Sequence, residues 1–177
     1  MSDISPKTAI LYFAIDVETS GLRPVGGDWV IKCAAVKIFQ GKIVSEFNTL
    51  INVPGRIHPG AQRLHGISRD MLHNQTEPDE AWPEFLEFIG RAPLIAHNAR
   101  FDMKFTRHEL GRLGKRLKNK SLCTLCLASR RYPQLQNHRL ETVTRHVLGT
   151  IPEDCRLHRA LGDARLVAQL WLAMKVK

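Results

Sequence analysis

An α/β fold built on a mixed sheet is what this sequence predicts, and three stretches predict it. Residues 9–15 are a short, largely apolar run that leads into Asp16-Val17-Glu18 and a Thr-Ser-Gly turn, the pattern of a strand buried on both faces. Residues 29–39 and 43–51 read as two more strands joined by the turn Gln40-Gly41-Lys42, an antiparallel hairpin. Beyond them, short apolar runs alternate with helical patterns, which stacks helices on a sheet whose later strands need crossovers.

Each later element follows in order. Residues 52–60 hold Pro54, Gly55, Pro59 and Gly60 and read as loop. Residues 61–72 predict short helical pieces broken at Gly66, with Ser68 as a candidate N-cap. Residues 77–90 predict a helix with Pro78 in its first turn, acids at its start and Gly90 closing it; Trp82, Phe85, Leu86 and Ile89 form its buried stripe. A short strand at 92–97 precedes a helix at 99–113, with Asn98 as its cap. Residues 121–124 suggest an edge strand, 125–132 and 138–148 helices, and 151–157 irregular chain. The last helix, 159–175, turns Ala160, Ala164, Val167, Ala168, Trp171 and Met174 inward.

The chain of 177 residues reads as one domain, with residues 1–7 as a flexible N-terminus. It shows no signal-peptide core and no apolar run long enough to span a bilayer, so the expectation is a cytoplasmic protein with no membrane partner. Charge is uneven: residues 1–90 hold 8 basic and 11 acidic side chains, residues 91–177 hold 18 and 6. A basic half suits a polyanionic partner, although solvated basic faces are common. Six of those basic residues fall between Arg107 and Lys120.

Asp16 and Glu18 lie two apart on a strand, so they share a face, about 6–7 Å apart by strand rise. Such carboxylates either face solvent where the strand ends or are relieved by a divalent cation, and hard oxygen ligands suit Mg²⁺ or Mn²⁺. Asp102 falls in the first turn of its helix, where it would complement the helix dipole. His158 precedes the last helix, and Asp163 lies inside it between Gly162 and Ala164, small neighbours that allow a close approach to the first strand. The four cysteines are expected to be reduced thiols. Cys123-x-x-Cys126 followed by Cys155-x-x-His158 also has a Cys₃His zinc spacing, set in a segment without the turn residues of a zinc knuckle.

Three motifs in order, Asp16-x-Glu18-Thr19-x-Gly21-Leu22, His97-Asn98-Ala99-x-Phe101-Asp102 and His158-Arg159-Ala160-x-x-Asp163-Ala164, resemble the DEDDh 3′–5′ exonuclease family. That family includes the proofreading subunit of bacterial DNA polymerase III, ribonuclease T and oligoribonuclease. Leu64-His65-Gly66-Ile67 and residues 124–133 also resemble family segments. The resemblance implies a ribonuclease-H-like fold and a site at the C-terminal end of the central strand. It further implies two Mg²⁺ or Mn²⁺ ions, Asp16 bridging both, Glu18 and Asp163 completing the first site and Asp102 supporting the second, with His158 as general base. The implied reaction releases nucleoside 5′-monophosphates from the 3′ end of single-stranded DNA. By the same resemblance Thr19, Leu22, His65, Asn98 and Phe101 would hold the terminal nucleotide.

The sequence departs from the family at Lys32, where a Glu is frequent, and at Cys123, where an Asp is common. The chain stops after its last helix, where the replicative subunit has a polymerase-binding tail; a polymerase partner and a dedicated replication role are therefore left open. RNA trimming and a non-catalytic nucleic-acid-binding role stay as alternatives.

Overall fold

The computed structural model describes residues 10–175. The expected flexible leader at 1–7, and Ala9 of the first apolar run, lie outside the described residues. Among the described residues, strands β1 (Leu11–Thr19), β2 (Val30–Phe39), β3 (Lys42–Leu50), β4 (Leu94–Ala96) and β5 (Ser121–Cys123) form one sheet in the order β3-β2-β1-β4-β5. The first three strands pair antiparallel; β4 joins β1, and β5 joins β4, in parallel. The hairpin turn puts Gln40 at φ 49° and Gly41 at φ 80°, and two left-handed residues in succession match the right-handed twist of the flanking strands.

The helices are α1 (Pro59–His65), α2 (Arg69–Leu72), α3 (Pro78–Ile89), α4 (Ala99–Arg112), α5 (Thr124–Arg131), α6 (Leu140–Leu148) and α7 (Ala160–Lys175). Strand alternation sorts β1 between two layers. Phe13, Ile15 and Val17 face a core with Trp82 and Phe85 of α3 and Met103 and Phe105 of α4. Ala14 faces the opposite way, into a core with Ala34, Val36 and Ile95 and with Ala160, Ala164, Val167 and Ala168 of α7. Asp16 and Glu18 continue the row begun by Ala14, so both carboxylates emerge on the α7 side.

Several local expectations change. The opening strand runs through Asp16 and Glu18 to Thr19 because β2 pairs with it that far. The first short helix starts at Pro59, whose fixed φ suits a first turn. Neither Ser68 nor Asn98 caps through its side chain; Asn98 instead enters α4 in the left-handed region, at φ 66° and ψ 48°. The helix expected from 138 begins at Leu140, because His138 bonds elsewhere: its carbonyl meets His97 Nε2 at 2.8 Å and its ring meets the Tyr132 carbonyl at 3.0 Å. Within the basic stretch, Arg112 is structural, its guanidinium lying 3.3 Å from the Trp29 ring centroid.

Candidate active site

Beyond the C-terminal end of β1 lies a cavity of about 710 Å³, and all ten residues singled out in the sequence line it. β1 supplies Asp16, Glu18 and Thr19; the turn after it supplies Leu22; α1 supplies His65; the entry and first turn of α4 supply Asn98, Phe101 and Asp102; α7 and the residue two before it supply Asp163 and His158. Carboxylate oxygens of Asp16, Glu18 and Asp163 lie within 4.8 Å of one another, the sole group of three or more metal-capable side chains that close among the described residues. Cys123, Cys126, Cys155 and His158 form no such group, and all four cysteines are free thiols.

Asp163 reaches this point because alanines make α7 thin. Ala160 and Ala164 pack with Ala14 and Ala34 of the sheet, letting the helix lie close to β1. Gly162 does a different job: a Cβ there would sit 2.3 Å from the Arg156 carbonyl oxygen, so the glycine admits the preceding loop. That loop ends at His158, held at φ 57°, whose backbone N–H donates to Asp163 Oδ2 at 3.1 Å. The His158 side chain is exposed in the cavity. Asp102 arrives from the other layer, carried by α4 to face the backbone N–H of Val17.

The electrostatics match the crowding. Burial, then the charges of Asp102, Asp163 and Glu18, push Asp16 well above the ordinary carboxylate range. Glu18 is pushed up to about 7, by burial and then by Asp163, against the relief offered by Lys32 and Arg159. Burial pushes Asp102 up to about 7, with the backbone N–H groups of Asp102 itself and Val17 opposing it. Asp163 is likewise pushed up to about 7 by burial, opposed by the His158 N–H and by Arg159. Glu18 Oε1 and Asp163 Oδ1 are buried without a hydrogen-bond partner. A buried acceptor lacking a donor is costly, and an all-oxygen set of this kind fits a hard divalent cation.

The nucleotide-side candidates differ in character. Thr19 is buried, its hydroxyl donating to the Gly21 carbonyl at 2.6 Å. Leu22 is 76% exposed and so is no part of the core. Phe101 is half-buried, its ring 4.9 Å from that of Phe105. Asn98 is exposed. The His65 ring is buried: Nδ1 accepts the Ile67 N–H at 3.0 Å, while Nε2 faces the Thr19 backbone without meeting it in hydrogen-bond geometry.

Sequence reasoning gave no role to Lys32, Arg159 or Leu64. Lys32 sits directly across from Glu18 in the β1–β2 register. Arg159 lies near both Glu18 and Asp163, and its guanidinium would stand 3.1 Å from a Cβ placed on Gly66. Lys32 is placed by the pairing of β1 with β2, a register that residue order alone does not fix. Leu64, 54% exposed at the cavity, is an unshielded leucine whose surroundings no periodicity reports.

A mixed five-stranded sheet with helices on both faces, bearing this acidic cavity at the tip of its central strand, is a ribonuclease-H-like α/β fold. Residues 13–171 match the exonuclease family RNase_T, and the chain belongs to it. A DNA polymerase III subunit epsilon-like protein of Rhodobacter capsulatus is 36% identical over 173 residues, covering 96% of this chain and 24% of that protein. A PolC-type DNA polymerase III of Clostridium perfringens is 37% identical over 159 residues, covering 90% of this chain and 11% of that protein. The chain thus spans a quarter or less of the length of these relatives.

Among solved structures, exonuclease X in complex with 5′-overhanging duplex DNA superposes with a TM-score of 0.75 at 25% identity, covering 93% of this chain and 91% of that one. E. coli exonuclease I in complex with a dA16 oligonucleotide shares the fold at a TM-score of 0.80 and 17% identity, covering 94% of this chain and 41% of that one. Among the described residues, no helix is long and apolar enough to cross a membrane.

Proposed function

We propose that this chain is a DEDDh-type 3′–5′ exonuclease acting on single-stranded DNA ends and releasing nucleoside 5′-monophosphates, with residues 1–177 working as a single exonuclease domain. The observation that carries the reading is the convergence of Asp16, Glu18 and Asp163 within 4.8 Å, with Asp102 and His158 on the same cavity. DNA is favoured over RNA because the solved relatives named above hold DNA, and a proofreading or repair setting because the sequence relatives are polymerase III proteins.

Asp16, Glu18, Asp163 and Asp102 would hold two Mg²⁺ or Mn²⁺ ions. Bound there, such ions neutralise the charge that builds on the phosphate and acidify water. His158, exposed to the cavity, takes the proton of the attacking water. The His158 N–H on Asp163 fixes base and ligand relative to one another. Leu22 and Phe101 offer apolar surface to the terminal base, and Thr19, His65 and Asn98 complete its pocket. Lys32 and Arg159 offset part of the acidic charge, keeping Glu18 and Asp163 closer to ionisation than burial alone would.

The test is incubation with 3′-blocked and 5′-blocked single-stranded oligonucleotides, with Mg²⁺, with Mn²⁺ and with chelator, followed by product sizing. Shortening only from a free 3′ end, only with metal, to mononucleotides is the expected result. Cutting that ignores the 3′ block overturns the polarity, and a large preference for a matched RNA overturns the choice of DNA.

A further inference from the structure

We propose that Cys123 and Cys126 form a redox-reversible dithiol–disulfide pair on the wall of the basic cavity next to the acidic one. The proposal does not rest on the nuclease reading, because it is read in thiol chemistry.

The fold places the two thiols together. β5 ends at Cys123, which is also the N-cap of α5, and Cys126 is the third residue of that helix. Residues three apart on a helix are neighbours, and the Cα reach of a disulfide covers that spacing. Cys123 has extended dihedrals, φ −123° and ψ 112°, so its side chain can swing toward Cys126 without unwinding the helix. Each thiol perturbs the proton affinity of the other. Both open into a cavity of about 870 Å³ walled by Arg100, Lys104 and Arg107 of α4, and both border a smaller one lined by Arg130.

The two sulfurs are unequal. Burial would raise the Cys123 thiol, but the backbone N–H groups of Cys126, Ala99 and Asn98, together with the Cys126 thiol, outweigh it and bring the pKa below the ordinary value. The starts of α4 and α5 converge on this one sulfur. Cys126 is shifted up, chiefly by the neighbouring Cys123 thiol. Cys123 is therefore the nucleophile and Cys126 the resolving thiol, which is exposed and free to turn. Cys33 and Cys155 are buried, and burial pushes both thiols upward, so neither competes.

The oxidant is a hydroperoxide. Cys123 thiolate attacks a peroxide oxygen, the O–O bond breaks, and one water leaves once protonated, giving a sulfenic acid. Cys126 sulfur then attacks Cys123 sulfur, the S–O bond breaks and a second water departs. In sum two thiols and one hydrogen peroxide become one disulfide and two waters; the sulfurs lose two electrons and the peroxide gains them. A small dithiol reverses the step.

The experiment treats the full chain with stoichiometric hydrogen peroxide, alkylates the remaining thiols and cleaves after Lys and Arg, which frees residues 121–130 as one peptide. The expected result is that this peptide loses two hydrogens and takes no alkyl group, that dithiothreitol restores both alkylations, and that Cys33 and Cys155 react only after unfolding. In Cys126→Ser, a substitution at an exposed site, Cys123 stops as a sulfenic acid trapped by dimedone. Continued alkylation of both thiols, direct over-oxidation of Cys123 in the native sequence, or bridging only between chains overturns the proposal.

Discussion

The two faces of the sheet are built from different material. One is aromatic: Trp82 meets Phe85 with ring centroids 5.5 Å apart, and Phe13 meets Phe88 at 5.3 Å, both edge-on. The other is made small by Ala14, Ala34, Ala160, Ala164 and Ala168, each fully buried. Large rings bury more apolar area, so the aromatic face contributes more to stability. Alanines bury little, but they let α7 lie against β1 and deliver Asp163 to Asp16 and Glu18. Stability is concentrated on one side of the sheet and placement on the other; Asp102, coming round from the aromatic side, is the one acid that joins them.

The hardest test of that division is Asp16→Asn. Turnover should be abolished and the rise in Tm on adding Mn²⁺ lost, while the cation-free Tm holds or increases, because a buried and repelled carboxyl is gone. Residual wild-type turnover would remove Asp16 from the chemistry. Next, His158→Ala should slow turnover by about 10²–10⁴ and leave the cation-induced Tm shift intact; an unchanged rate would end its role as base.

The comparison itself is sharpened by one substitution on each face. Phe85→Ala should cost about 3–5 kcal/mol of stability in a denaturant titration, with the rate per folded molecule unchanged. Ala164→Leu should cost less, about 1–3 kcal/mol, yet remove turnover, because the helix can no longer sit close. If the leucine variant loses stability but keeps its rate, the thin face does not set the site.

The mildest effect is on pH. Glu18, Asp102 and Asp163 hold their protons up to about 7, whereas an unfolded chain gives them up near 4. Between those values the folded state binds more protons, so cation-free stability falls as pH rises through that window. Glu109, pushed up to about 7 by burial, adds the same slope without responding to cations. Thermal melts from pH 4 to 8 should show this decline, and Mn²⁺ should restore more Tm at pH 8 than at pH 5. A flat cation response would contradict an acidic site that awaits an ion.

Much of this was legible from residue order alone. The hairpin, the buried first strand and the stripe of α3 follow from periodicity, and the resemblance carried by three motifs named Asp16, Glu18, Asp102, His158 and Asp163, which line one cavity. What escaped was what the third dimension supplies. Lys32 gained its place only through cross-strand register, and Arg159 through the turn that brings residue 159 over Gly66. Asn98 looked like a cap because Asn is a good one, but its left-handed backbone aims the start of α4 without using the side chain. Ser68 fails as a cap in the same way: propensity names a candidate, and tertiary packing decides.

Asp16 stands near the start of the described chain and Asp163 on its final helix, so the acidic cavity closes only when α7 docks beneath β1. Synthesis proceeds from the N-terminus, and contacts this far apart in sequence form late. A growing polypeptide under the nuclease reading therefore stays inert on the ribosome, and any product cut short before α7 lacks its last acid, Asp163. Under that reading, activity waits on completion of the last helix.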